Sequence, residues 1–157
     1  MDGVYYFAYS QHMDPIQLKR LRIPVRLSIS AFIPNYRLVF NVLEDELFRF
    51  EKRGLANIVP EAGSRVEGVL YEIMEDDFIL LDIDVGVPEM KYYRKLVSAS
   101  TPNGHSFSAM TYAGWPDVTA RGLLPSCDYL KKLVLAAHHI GISSEFCQWL
   151  ESHPTTI

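Results

Sequence analysis

Cysteine is scarce: Cys127 and Cys147 are the only two in 157 residues, and no Cys-x-x-Cys is present. That excludes a disulfide framework and makes a reducing, cytoplasmic compartment the expectation. Long apolar runs are missing too. None approaches the roughly 18 residues needed to cross a bilayer, so no membrane partner is expected. The first residues, Met1-Asp2-Gly3, are acidic and lead straight into an apolar stretch, which is not the pattern of a secretory leader. A basic excess is also absent. Fifteen Lys and Arg stand against nineteen Asp and Glu, for a net charge of -4, so no nucleic-acid partner is expected. The cluster Lys19, Arg20, Arg22, Arg26 is local and reads as a solvated helix face, with anion binding as the alternative. No repeat, linker or low-complexity block interrupts the chain. The nine Gly and nine Pro are scattered singly, as in one domain over residues 1–157 with short loops. At 48% hydrophobic residues, a chain of this length can bury a core without staples.

What is present is organised around the stretch from Tyr6 to Met13. The run from Val4 to Tyr9 reads as a short buried strand. It breaks into Ser10-Gln11-His12, and Asp14-Pro15 then offers an N-cap and a first helical position. A strand, a tight turn and a helix start aim backbone N–H groups into a common space, where they can hold an anion. This turn is the expected floor of a small-molecule site.

The rest of the chain is mostly strand. Met13 to Leu21 is a short helix with Ile16, Leu18 and Leu21 as its apolar contacts, stopped by Pro24. Arg26 to Val42 is extended, with Leu27, Ile29, Ala31 and Ile33 alternating against polar neighbours, a turn at Pro34-Asn35, and the strand resuming from Tyr36 to Phe40. Glu44 to Arg53 reads as an exposed loop or short helix. Ala56 to Val59 is a short strand ended by Pro60 and Gly63. Arg65 to Ile73 is apolar on both faces, as in a central strand. Met74 to Val85 is open between a helix started by Glu75-Asp76-Asp77, with Phe78, Ile79 and Leu81 buried, and a strand. Tyr92 to Ser100 and Ser106 to Ala113 flank Thr101-Pro102-Asn103-Gly104 as a hairpin. A helix capped by Ser126 carries Leu130, Leu133, Val134, Ala137 and Ile140 on one face and closes at Gly141. Ser143 or Ser144 caps a last helix through Leu150. This order is α+β: a small mixed β-barrel, closed or partly closed, with short flanking helices.

Six ordered pieces resemble the gamma-glutamylcyclotransferase-like family over nearly the whole length. Phe7 to Met13 stands where that family has an aromatic strand and a Tyr-Gly-Ser-Asn-Leu/Met turn. Gly54 to Pro60 and Val66 to Tyr71 are similar to its middle strands. Leu81-Asp82-Ile83-Asp84-Val85-Gly86 sits at its Leu-Asp-x-x-Glu-Gly. Tyr92 and the hairpin through Tyr112 follow, and Pro125-Ser126-Cys127-Asp128-Tyr129 resembles its Pro-Ser-x-x-Tyr. The resemblance implies a barrel with one cavity and no metal or cofactor. It implies cleavage of gamma-glutamyl compounds in which the substrate's own amine attacks its gamma-carbonyl and releases 5-oxoproline. The turn would hold the substrate and the Glu would act as general acid/base.

Two departures follow from the same residues. Val85 occupies the Glu position and can move no proton, and such groups contribute on the order of 100- to 10,000-fold. Asp84, one residue earlier, is a tentative surrogate, although neighbouring side chains point in different directions and a backbone shift would be needed. Ser10-Gln11-His12 replaces Gly-Ser-Asn. A serine in a left-handed glycine position costs roughly 1 kcal/mol, and His12 is either a second tentative base or a polar turn residue. Asp82 matches the family's own Asp and reads as structural. The expected ligand-binding set is Tyr9, Ser10, Gln11, His12, Met13, Val85, Tyr92, Tyr112 and Tyr129. His138-His139 reads as a surface pair, because adjacent helical residues face about 100° apart. Cys127 reads as an incidental thiol, and Glu75-Asp76-Asp77 lacks the spacing of a calcium loop. Two functions are expected: a catalytically impaired or non-catalytic homologue that binds an amino-acid-like or anionic metabolite, or an active enzyme using Asp84 or His12.

Overall fold

The computed structural model describes residues 3–44 and 52–156. Five strands close into a barrel: β1 (Gly3–Ala8), β2 (Leu27–Leu43), β3 (Gly54–Met74), β4 (Tyr92–Ser100) and β5 (Ser106–Gly114). Their order around the wall is β1-β3-β2-β4-β5. All pairings are antiparallel except β1 with β5, which is parallel at Tyr6 and Met110. The helices are α1 (Pro15–Arg20), α2 (Phe78–Val85), α3 (Cys127–His139) and α4 (Ser144–Glu151). The fold is therefore α+β, a mixed barrel with short helices around it.

The alternation that makes β2 a strand is visible in its burial. Ala31, Ile33, Leu38, Phe40 and Val42 point inward, and their neighbours are more exposed. β3 carries apolar residues on both faces and runs between β1 and β2, which explains its nearly continuous burial from Val66 to Tyr71. Gly68 is part of that fit. A Cβ there would lie 2.2 Å from the Ala8 carbonyl oxygen, so only glycine lets β1 end where it does.

Several expectations change. The two strands expected on either side of Pro60 and Gly63 are one element, β3, and Pro34-Asn35 is not a turn that ends a strand. β2 and β3 pair along their lengths, with a register shift between Pro34 and Tyr36. The irregularity falls where proline lacks an N–H, and Asn35 and Gly63 take it up with φ of 64° and 84°. The Gly63 N–H donates to Asn35 Oδ1 at 3.1 Å. The helix expected from Met13 to Leu21 is split. A 3-10 turn covers Gln11–Met13, and extended Asp14 then caps α1 by accepting from the Ile16 N–H at 3.0 Å. Between Met74 and Val85 the helix is the form adopted. Phe78 and Leu81 are buried in it, but Ile79 is 55% exposed, because it lies on the opposite face of a helix only two turns long. Most of the loop expected from Glu44 to Arg53 falls outside the described residues.

The hairpin and the C-terminal helices form as expected. Ser126 Oγ accepts from the Tyr129 N–H and Ser143 Oγ from the Phe146 N–H, each at 3.2 Å. Gly141, with φ of 80°, follows α3. Cys127 is exposed and Cys147 buried, both as free thiols. Among the described residues no helix is long and apolar enough to cross a membrane.

Candidate ligand-binding site

A cavity of about 190 Å³ opens where β1, the turn after it, the start of β3, the end of α2 and the start of α3 converge. Its apolar wall is Leu55, Ala56 and Val85 with the rings of Tyr6, Tyr9, Tyr92, Tyr112 and Tyr129. Ser10, Gln11, His12, Asp84 and Lys91 supply the polar lining. Of the expected ligand-binding set, only Met13 is not in the lining. It is 1% exposed, packed in the core, and its carbonyl accepts a bond from the Tyr71 hydroxyl at 3.0 Å. The 3-10 turn explains this, since three residues fill one turn and carry Met13 away from Ser10.

The tyrosine hydroxyls are tied back into the protein. Tyr9 donates to the Tyr112 carbonyl and Tyr92 to the Ala56 carbonyl, each at 2.7 Å. The Tyr129 hydroxyl meets Ser10 Oγ at 2.8 Å and accepts from the Ala56 N–H at 3.0 Å. Tyr112 donates to Asp82 Oδ1 at 2.6 Å. Burial holds the phenols of Tyr6, Tyr9, Tyr92, Tyr112 and Tyr129 above the usual tyrosine value, and the Asp82 carboxylate pushes Tyr112 further. They remain neutral donors.

His12 is 2% exposed and joined on both sides. The Tyr6 hydroxyl lies 2.7 Å from its Nδ1, and Asp84 Oδ2 lies 2.7 Å from its Nε2. A carboxylate only accepts, so Nε2–H donates to Asp84. Arg20 donates to the other oxygen, Asp84 Oδ1, at 3.1 Å. The bond from His12 and the Arg20 guanidinium outweigh partial burial and hold the Asp84 carboxyl below its usual range.

The sequence reading has Asp84 taking the role of the Glu only with a backbone shift. Asp84 and Val85 both border the cavity, because the end of a short helix abutting a concavity can present two faces to it. The strain expected at Ser10 is also absent: its φ is -129°, outside the left-handed region, so its Cβ meets no penalty there. Asp82 has a structural setting. Arg94 forks onto both its oxygens at 2.6–3.1 Å, and Tyr112 donates as well. His138 is a surface residue whose Nε2 lies 2.5 Å from Glu151 Oε1. Among the described residues no group of three or more His, Cys, Asp or Glu side chains could hold a metal ion.

The AIG2-like family model matches residues 65–150, more than half of the chain. The chain belongs to the AIG2-like family. Solved structures agree on the fold. A protein described as gamma-glutamyl cyclotransferase superposes with a TM-score of 0.85 at 19% identity, over 99% of this chain and 90% of the other. An uncharacterized Homo sapiens protein gives 0.83 at 20%, over 99% and 90%. A yeast gamma-glutamyl cyclotransferase specific to glutathione gives 0.67 at 13%, over 96% and 94%. At these identities the likeness is one of fold. A search of curated proteins finds no match.

Within this AIG2-like barrel, sequence reasoning missed four residues of the lining: Tyr6, Leu55, Ala56 and Lys91. Tyr6 was assigned to the core, which it also joins. Leu55 and Ala56 lie within the motif compared with the family's middle strands, where only a strand was read. Lys91 precedes Tyr92 in a segment that also holds Arg94 and Lys95, so no signal sets it apart.

Proposed function

We propose that this AIG2-like protein is catalytically impaired or non-catalytic and that its cavity binds an amino-acid-like or anionic small molecule. The observation that carries this reading is the state of Asp84. Among the described residues it is the one carboxylate in the cavity lining, and both its oxygens have partners, one in His12 and one in Arg20. A carboxylate held below its usual range is a poor proton acceptor, because a useful base needs a value near the working pH. Val85, at the position where the resemblance implies the general acid/base, contributes a methyl-lined wall. The small, tyrosine-walled cavity suits an amino-acid-sized ligand.

A second reading is kept by one specific feature. Asp84 does border the cavity and is coupled through His12 to the Tyr6 hydroxyl, so a proton accepted there has partners to share it. In that reading the chain releases 5-oxoproline from gamma-glutamyl compounds, with Asp84 or His12 as the base. The connection to such compounds comes from the proteins named above as gamma-glutamyl cyclotransferases.

The test is 5-oxoproline release from a panel of gamma-glutamyl amines and peptides by the wild type, Val85→Glu and Asp84→Asn. No release by the wild type and gain in Val85→Glu is the expected result. Release by the wild type that Asp84→Asn abolishes would establish the second reading instead.

A further inference from the structure

Lys91 is half-buried in the cavity lining, and its position is fixed from both sides. Its N–H donates to the Gly86 carbonyl and its carbonyl accepts from the Trp115 N–H, each at 3.0 Å. Gly86 turns the chain out of α2 with φ of 96°, and a Cβ there would lie 3.2 Å from the Lys91 Cβ. The glycine thus supplies both the turn and the room for the lysine stem beside Val85. At the tip, Nζ donates to the Glu44 main-chain carbonyl at 2.8 Å. That partner is neutral and satisfies one of three donors. Among the described residues no carboxylate pairs with Lys91.

Of the neighbouring carboxylates, Glu44 is matched by Arg53 at 3.4 Å, and exposed Glu89 shares the space at Gly86 with the Lys91 stem without an ion pair among the described residues. Asp84 is matched by Arg20 at 3.1 Å and Asp82 by Arg94 at 2.6 Å. The tyrosines that line the cavity are neutral phenols. His12 adds no negative charge. Among the described residues Lys91 is the cation of the lining that no carboxylate pairs.

We infer that Lys91 is the specificity-determining residue of this cavity and selects a ligand with a net negative charge, binding it through a carboxylate or phosphate oxygen. This rests on reading the cavity as a ligand site. The two further donors of an ammonium anchored on the Glu44 carbonyl form charge-assisted bonds to such an oxygen. An uncharged isostere cannot replace them and leaves the cation unpaired. The discrimination is therefore roughly tenfold or more in affinity.

The experiment is calorimetric titration of the full chain with L-glutamate, its carboxylate-free diamide L-glutaminamide, and inorganic phosphate. It is repeated on Lys91→Met, Lys91→Gln and Lys91→Arg. L-Glutamate is expected to bind at least about tenfold more tightly than L-glutaminamide. The preference should vanish in Lys91→Met and Lys91→Gln and persist in Lys91→Arg. Lys91-dependent binding of phosphate in place of glutamate supports the same assignment, with phosphate as the source of the oxygen. Equal binding of glutamate and its diamide by the wild type, or a preference that survives either neutral variant, overturns the role of Lys91 and leaves the ligand site standing. No binding of any of the three overturns the ligand site itself and the inference with it.

Discussion

The imidazole of His12 and the carboxylate of Asp84, 72 residues apart in the chain, meet at 2.7 Å, with Tyr6 on the far side of the ring. The turn after β1 and the end of α2 are thereby closed into one polar unit at the cavity edge. Both bonds end on His12, so losing the ring leaves the Tyr6 hydroxyl without this partner and Asp84 with Arg20 and Gln11 alone.

His12→Leu keeps the volume approximately and removes both bonds. Tyr6 and Asp84 lose a partner in a largely buried setting, and the expected loss is about 2–3 kcal/mol. Urea unfolding should show a lower midpoint with an unchanged slope. An unaffected midpoint would mean that water or another side chain replaces the ring.

Asp84 also gives the acid limb of stability a specific source. Its folded value is depressed, by His12 first and Arg20 next, below an unfolded value of about 4. A depressed carboxyl contributes stability that is complete above the unfolded value and is lost as pH falls through the folded one. Stability should therefore decline below about pH 4. Asp84→Asn should be less stable at neutral pH and show a shallower decline in acid. Urea midpoints at about pH 6 and about pH 3 measure both.

The alkaline limb has the opposite sign. Tyr6, Tyr9, Tyr71, Tyr92 and Tyr112 have folded values raised by burial above an unfolded value of about 10. Stability is complete below that value and is lost as pH rises above it, since the unfolded chain releases these protons more readily. Tyrosinate absorbance should rise cooperatively with the loss of circular dichroism. Gradual ionisation of these phenols within a folded barrel would contradict the burial argument.

Arg94 is the third target. Arg94→Met leaves Asp82, only 6% exposed, with the Tyr112 hydroxyl as its remaining partner. The expected cost is about 2–3 kcal/mol. Arg94→Lys should recover part of it, because an ammonium keeps the charge but cannot fork onto both oxygens. Denaturant titration of the three proteins orders them as wild type, Arg94→Lys, Arg94→Met.

The fold was legible where local patterns coincide with tertiary demands. The helix face from Leu130 to Ile140, the Ser126 and Asp14 caps and the hairpin around Asn103-Gly104 are written in spacing and turn chemistry. The long β3 was not, because Pro60 and Gly63 are ordinary strand breakers and only the matching bulge in β2 absorbs them. At the site, ordered motifs brought out Tyr9, Tyr92, Tyr112, Tyr129 and the turn. The pairing of His12 with Asp84 is a long-range contact that no spacing rule contains. Lys91 belongs to the cavity because of the turn at Gly86, so nothing in its own neighbourhood distinguishes it from a surface lysine.

Because Tyr9, Tyr92, Tyr112 and Tyr129 spend their hydroxyls on holding the strands and the start of α3, each is at once a wall of the cavity and a rivet of the scaffold. Replacing one to alter ligand preference also loosens the frame. Leu55 and Val85 carry no polar group and can be exchanged without breaking such a bond. Changes of ligand in relatives of this chain should therefore accumulate at those two positions while the tyrosines stay, and redesign of the cavity should begin there.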